Sequence, residues 1–305
     1  SYGMSASVMA GAAMGATLVL HHRFNPRKTI QLLQQHRPSV FHAVPAMLDA
    51  MNRRLRTHTA KIEGLRWVIS GGAPLDAEIG GEFAEHTGAL VVEGYGLSEA
   101  SPVTHVGHLF REPRYGTIGL PLPETQCRIV DEYDADLGDQ QTGELLVRGP
   151  QVMLGYWNDR AGTRQVLRDG WLYTGDLAVR DASGVYRIVG RKKDLIITSG
   201  FNVYTTEVEA VICELDEVAD AAVVGQPCPR RGETVKAFVV LKSGMKWDEQ
   251  RLREHCEQSL SKYKRPRTFE CCAGDLPRNF LGKVIRRKLR ERSAEVREIV
   301  TEESN

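Results

Sequence analysis

The sequence predicts an α/β protein in two parts: a βαβ sheet with a small β-barrel-like subdomain, followed by a small α+β domain. Three observations predict this. Residues 26–93 alternate helix and strand signals, residues 116–190 change to short strands separated by turn residues, and the residues after Asp194 mix helices with strands. A chain of 305 residues is also long for a single core, so two domains are the default expectation.

The elements are justified in chain order. Pro26 opens an amphipathic segment through Gln35, and Pro45 opens another through Arg56, each Pro falling in the first turn where its missing N–H costs nothing. Trp67-Val68-Ile69 and Leu90-Val91-Val92 are short apolar runs that read as buried strands, with a helix from Asp76 to His86 between them. Strand, helix and strand at that spacing form a βαβ unit with parallel pairing. Cys127 to Val130, Glu144 to Arg148 and Val185 to Val189 read as strands of a mostly antiparallel subdomain. Further on, Val208 to Leu215 reads as helix, and Ala221 to Val224 and Ala237 to Leu241 as strands. Asp248 to Leu260 follows as a helix capped by Asp248, and basic Val284 to Arg297 as a closing helix.

Composition narrows the function classes. Hydrophobic content of 42% and charged content of 26% are ordinary for a globular protein, and a net charge of +1 supplies no pull toward nucleic acid or an anionic membrane. The longest apolar run, Val8 to Leu20, is too short to span a bilayer and lacks a basic segment before it. It suits an acyl-tunnel wall or plain core equally. Six cysteines without a C-x-x-C pair argue against zinc or a disulfide framework and fit a reducing cytosol. The chain starts at Ser1 in small apolar sequence, which reads as a start inside a domain.

Five motifs carry chemistry. Ser70-Gly71-Gly72-Ala73-Pro74 follows one predicted strand, and Glu93-Gly94-Tyr95-Gly96-Leu97-Ser98-Glu99 follows the next. Parallel strands bring both turns to one carboxyl edge, where open α/β sheets bind ligands. There Tyr95 would offer a face to a purine, while Ser98 and Glu99 would face phosphate and Mg²⁺. The plain alternative is a pair of tight connections. Trp171 to Asp176 ends in an acid suited to two ribose hydroxyls, or in an ordinary turn Asp. Gly190 to Tyr204 sets Arg191, Lys192 and Lys193 before Asp194 and the apolar Leu195-Ile196-Ile197, so the basic run is held against structure in part. Leu276 to Lys283 carries a lysine at a loop-to-helix junction, able to bridge a carboxylate and an α-phosphate or to remain a surface cation. Lys262 to Pro266 ends a helix, where cations suit the helix dipole.

In this order, GYGLSE, GELLVRGPQVMLGYW, WLYTGD, GRKKDLIITSGFNVY and LPRNFLGK resemble the adenylate-forming superfamily of acyl-CoA synthetases, luciferase and peptide-synthetase adenylation domains. RKKDLIITSGFNVYTTEVE with RGETVKAFVVL is most similar to bacterial fatty-acyl-CoA ligases. The resemblance implies that residues 1–192 are the C-terminal part of a large AMP-binding domain, including the β subdomain 116–190, and that 193–305 form a small mobile domain. It places Gly71, Gly72, Ala73, Pro74, Glu93, Gly94, Tyr95, Gly96, Leu97 and Ser98 around adenine and phosphates, with Glu99 as the Mg²⁺-linked acid. Asp176 and Arg191 would hold the ribose, Asn202 would reach the nucleotide, Lys193 would be the hinge and Lys283 the adenylation lysine. Ser199, Gly200 and Phe201 would line the path of CoA. Two departures stand out: Thr205 where many fatty-acyl ligases have Pro, and no Gly/Ser/Thr-rich phosphate loop or histidine-containing aromatic motif.

The implied activity is an acid–thiol ligase that converts a carboxylic acid, ATP and CoA to an acyl-CoA through acyl-AMP. The competing class is a non-catalytic nucleotide-binding segment, favoured by the absent phosphate loop. Among enzymes the runner-up is an amino-acid adenylation domain, against which the fatty-acyl-like hinge counts.

Overall fold

The computed structural model describes residues 2–58, 60–279 and 283–293. These form two compact units. The first comprises the described residues through Thr174 together with Ala178–Ile188; the second comprises Gly175–Leu177 and the described residues from Val189 onward.

The first unit begins with a π-helical turn Gly3–Met9 running into α1 (Ala10–Ala13). Next come α2 (Pro26–His36), β1 (Val40–Ala43), α3 (Pro45–Thr57), β2 (Trp67–Gly71), α4 (Ala77–Thr87) and β3 (Leu90–Gly96). Local chemistry sets the helix ends. Asn25 accepts from Lys28 N–H ahead of Pro26, and Asp76 accepts from Glu78 N–H at the start of α4. Gly88, at φ 70°, closes α4 in the left-handed conformation. β1, β2 and β3 pair in parallel, and β4 (Val103–Val106) and β5 (Leu120–Pro121) extend the sheet antiparallel. Leu48, Met51, Phe83, Val68 and Val91 fill the core between helices and sheet.

β5 lies inside the stretch expected to belong to the β subdomain, yet it pairs with β4 of the first sheet. That subdomain starts instead at β6 (Gln126–Val130), followed by β7 (Gly143–Arg148), α5 (Arg160–Val166), β8 (Leu167–Arg168), β9 (Trp171–Arg180) and β10 (Tyr186–Arg191). Its sheet runs β10-β9-β7-β6, with β8 paired to β9. β9 and β10 contribute residues to both units.

The apolar run Val8 to Leu20 is not core in this chain. Met9, Met14, Val19 and Leu20 are exposed, and Gly11 alone is buried in α1. The nearby cleft, about 310 Å³, takes Ser5 and Ala6 from the preceding turn, with Pro102, Val103 and Leu122 opposite.

The second unit is built on β11 (Ile196–Thr198), β12 (Phe201–Val203), β13 (Val218–Cys228), β14 (Gly232–Leu241) and β15 (Thr268–Cys271), in the order β12-β11-β14-β13 with β15 on β14. Its helices are α6 (Thr205–Cys213), α7 (Glu249–Ser259) and α8 (residues 286–293). The sheet is covered on both faces. Ala221, Val223, Val235, Ala237 and Val239 join one core with α6 and α7, while Ala222, Val224, Phe238 and Leu289 of α8 join the other. Lys236 lies on the second face, with Nζ 4.8 Å from the Phe238 ring centre and 2.8 Å from Glu270 on β15. Burial of a lysine there is offset by the ion pair.

Three expectations shift in this unit. α6 runs from Thr205 to Cys213, starting and stopping earlier than the Val208 to Leu215 that the apolar pattern suggests. α8 begins at residue 286, because Val284 is held in an antiparallel bridge to Arg278; its expected residues 294–297 lie outside the described residues. Finally, Lys262 to Pro266 lies beyond α7, which ends at Ser259. The cation that meets the helix end is Arg265, which turns back to donate to the carbonyls of Leu260 (2.9 Å) and Glu257 (2.8 Å).

Candidate active site

Within the first unit, β2 and β3 bring both glycine motifs to one sheet edge. Ser70 pairs with Glu93 and Gly71 with Gly94. The second motif is strand further than expected. Gly94 and Tyr95 pair with Val106 and His105 of β4, so β3 continues to Gly96 and the chain turns only at Leu97 to Ser101. The ladder persists because β4 folds straight back on it. At Gly96 the glycine is required by the chain itself, not by a ligand: a Cβ there would stand 1.7 Å from the Pro102 carbonyl oxygen. Gly72, at φ 85°, makes the other turn before Ala73 and Pro74.

Side chains around this edge are tightly placed. Ser70 Oγ is buried with no hydrogen-bond partner. Glu93 Oε2 accepts from Leu75 N–H at 3.3 Å, tying the two loops together. Burial pushes the Glu93 carboxyl up to about 7, with the Leu75 bond opposing. Tyr95 meets His105 edge-on at 5.8 Å and packs against the β-subdomain core. His105 is fully buried and burial holds it down to about 3, so it is neutral; Thr104 Oγ1 is 2.9 Å from its Nδ1.

Because the native Glu93 binds its proton more tightly than the unfolded chain does, the unit loses stability as pH rises from the ordinary carboxylate range to about 7. Glu93→Gln keeps an oxygen for Leu75 N–H and carries no charge. It is expected to raise stability at pH 8 by roughly 2 kcal/mol and to change little at pH 4. Urea unfolding at the two pH values measures this; equal effects at both would contradict it.

Glu99 lies in the 3₁₀ turn Ser98–Ala100. Its carbonyl accepts from Met153 N–H at 2.8 Å, and its Oε1 accepts from the Tyr156 hydroxyl at 2.7 Å. The Glu99 hydrogen bond is the first cause, ahead of burial, that pushes the Tyr156 phenol up to about 12. Sequence reasoning missed Tyr156 as a site residue, although it lies in the GELLVRGPQVMLGYW motif. Among the described residues no three His, Cys, Asp or Glu side chains converge as a metal cage. A lone Glu99 suits Mg²⁺, which keeps several waters and is carried largely by phosphate oxygens.

The second unit carries the other group. Asp176 is 4% exposed and sits inside β9, not in a turn as the plain alternative had it. Gly175, at φ 69°, kinks the strand without ending it. Asp176 Oδ1 meets Arg191 Nε at 3.0 Å. Lys193 follows in the 3₁₀ turn Lys192–Asp194. Lys283 is tied to Asn279: its N–H donates to Asn279 Oδ1 (3.0 Å), and Asn279 N–H donates to its carbonyl (2.9 Å). Burial first, then the Arg191 charge, lowers the Lys283 ammonium below the ordinary lysine value; Asp176 opposes them and Lys193 adds to them. Lys283, Asp176, Arg191 and Lys193 therefore share one electrostatic neighbourhood. Phe280, Leu281 and Gly282 of the same motif lie outside the described residues.

Ser199 (φ 51°) and Gly200 (φ 81°) form the two-residue turn between β11 and β12, the left-handed pair that a tight hairpin needs. Phe201 stacks on Tyr263 with ring centres 4.7 Å apart and planes at 24°. Asn202 is exposed and pairs with Ile197.

The chain belongs to the AMP-binding enzyme family: that family's model matches residues 1–157, and the model of the AMP-binding enzyme C-terminal domain matches 207–283. It is 39% identical over 295 residues to a long-chain-fatty-acid–CoA ligase of Bacillus subtilis, covering 96% of this chain and 52% of the relative. It is 38% identical over 270 residues to the ligase of the same name from Escherichia coli O157:H7, covering 88% and 48%. Among solved structures, ATP-bound MatB from Rhodopseudomonas palustris matches with a TM-score of 0.90 at 32% identity, covering 97% of this chain and 58% of that one. The Bacillus subtilis o-succinylbenzoate CoA synthetase MenE, in complex with its acyl-adenylate intermediate OSB-AMP, matches at 0.82 and 29% identity, covering 94% and 58%. The chain spans about half the length of the curated relatives it matches. No helix among the described residues is long and apolar enough to cross a membrane.

Proposed function

We propose that the protein carrying this chain is an AMP-forming acyl-CoA ligase acting on a fatty acid. The observation that carries this is the grouping of Lys283 with Asp176, Arg191 and Lys193, in a chain whose relatives are named as fatty-acid–CoA ligases. In the first half-reaction a carboxylate oxygen attacks the α-phosphorus of ATP, the bond to pyrophosphate breaks, and acyl-AMP forms. In the second, the CoA thiolate attacks the acyl carbon and AMP leaves.

The difficulty is electrostatic, since both reactants of the first step are anions. Lys283 supplies a positive charge that offsets their repulsion. Asp176 accepts from the ribose hydroxyls and Arg191 orients it, their 3.0 Å contact keeping both side chains in place. Gly71 to Pro74 and Glu93 to Ser98 border the adenine and phosphates, with Tyr95 held by neutral His105. Asn202 reaches toward the nucleotide. Glu99 would hold Mg²⁺, which supplies charge neutralisation on the phosphates when bound. Lys193 serves as the pivot between residues 1–192 and 193–305, and the Ser199-Gly200-Phe201 turn guides CoA in the second step. All six cysteines are free thiols, which supports a cytoplasmic setting.

The test is ATP–pyrophosphate exchange with carboxylic acids of graded chain length and with amino acids. Exchange that peaks with a fatty acid, followed by CoA-dependent AMP release, is the expected result. A peak with an amino acid would move the protein to the amino-acid-activating class, and no exchange with any acid would make it a non-catalytic binder.

A further inference from the structure

We propose that Arg290, through Asp194, is a positioning residue for acyl-AMP formation, bolting the helix that follows Lys283 to the turn that contains Lys193. The proposal deepens the functional reading above and rests on Lys283 and Lys193 having the roles assigned there.

The contacts lie within one compact unit. Arg290 of α8 sends Nη2 to Asp194 Oδ1 at 3.0 Å and to the Lys193 carbonyl at 3.3 Å. One turn earlier in α8, Arg286 donates from Nη2 to both Glu209 oxygens at 2.7 Å, and its Nη1 lies 3.9 Å from Asp194 Oδ2. Glu209 of α6 also accepts Val223 N–H at 2.7 Å, which anchors the network to the sheet. Further along α8, Arg292 reaches Glu270 of β15 at 2.6 Å.

Among the described residues of α8, Leu289 and Ser293 are the buried ones, so the arginines locate the helix together with a single apolar side chain, Leu289. Asp194 is 7% exposed and closes the 3₁₀ turn one residue after the pivot.

The consequence is mechanical. With the chain after Lys193 tied to α8, a torsion at Lys193 carries Lys283 as part of a rigid body. Without Arg290, α8 is still held to the sheet by Arg286, Leu289 and Arg292, but the turn at Lys193 loses its direct tie to the helix, so Lys283 can drift relative to the pivot. A misplacement of about 1 Å is enough to cost a reaction up to roughly a hundredfold. Thioester formation, which does not use Lys283, is indifferent to that drift.

The experiment compares Arg290→Ala, Arg290→Lys and Lys283→Ala in the protein carrying this chain. It follows acyl-AMP formation, thioester formation from supplied acyl-AMP, and tryptic cleavage after Lys193. Arg290→Ala is expected to slow acyl-AMP formation roughly ten- to a hundredfold, leave thioester formation within about twofold, and increase cleavage. Arg290→Lys keeps the charge but loses the forked geometry, and recovers part of the rate. If Lys283→Ala slows acyl-AMP formation while Arg290→Ala leaves both half-reactions at the native rate, or slows both equally, the positioning role is overturned. Should Lys283→Ala itself leave acyl-AMP formation unchanged, the underlying reading of Lys283 fails, whatever Arg290 does. If Arg290→Ala does not fold, the Arg290→Lys variant decides, since an equal loss in its two half-reactions overturns the role.

Discussion

Lys283→Ala is expected to slow acyl-AMP formation by about a hundredfold, the usual loss for one preorganised charge or donor at a reacting anion, while thioester formation from supplied acyl-AMP stays within about twofold. The structure sharpens the reason. Burial first, and then the neighbouring Arg191, already lowers the ammonium pKa of Lys283. A site that destabilises its own cation releases the strain when two anions arrive, so the charge counts for more than a surface lysine would. Arginine should not rescue the variant, because its rigid fork does not fit where a compact point charge is wanted. The lowered pKa also fixes the sign of the pH effect. As pH rises, Lys283 loses its proton before an ordinary lysine does, so acyl-AMP formation declines earlier on the alkaline side. Rapid-quench measurement of the two half-reactions checks both statements. A parallel loss in both would remove Lys283 from its assigned role.

Lys193→Pro is expected to leave one half-reaction near its native rate and to abolish the other. Lys193 sits in the middle of the 3₁₀ turn Lys192–Asp194, between β10 and the bolted residue Asp194. Proline fixes φ near −65° and restricts the residue before it, so the turn is confined to one conformation. Lys193→Gly, free to rotate, should retain both steps and separates loss of motion from loss of the side-chain charge. Measured thermal unfolding of the three proteins guards against a general collapse. Unchanged overall turnover in the proline variant would exclude a pivot at this position.

Much of the fold was legible because the helix ends carry their own signals. Asn25-Pro26, Asp76 with Gly88, and Asp248 each satisfy or terminate backbone groups within four residues of themselves. What failed depended on distant partners. β3 runs on to Gly96 because β4 pairs with it, and β9 runs through Gly175; in each a glycine read as a turn is overruled by the neighbouring strand. β5 could not be assigned to the first sheet from Leu120-Pro121 alone. At the site, the motif residues were legible one by one, whereas their linkages were not. Tyr156 meets Glu99 across 57 positions, and Arg290 meets Asp194 across 96. Asp194 was nevertheless the reason to expect the basic run to be held against structure.

The two-sided sheet of the second unit carries one more implication. β13 presents Ala221 and Val223 to one core and Ala222 and Val224 to the other, so over these four residues its two faces are alike. A slip of one position would exchange them at almost no cost in apolar volume, so they do not by themselves choose an alignment. On its other side β14 is keyed to β15 by charge. Lys236 finds its anion where β15 sets Glu270 beside it, and another β14–β15 alignment would strand a buried ammonium. This inward-facing lysine is a register key: a group that adds little to stability itself but fixes where β15 lies along β14.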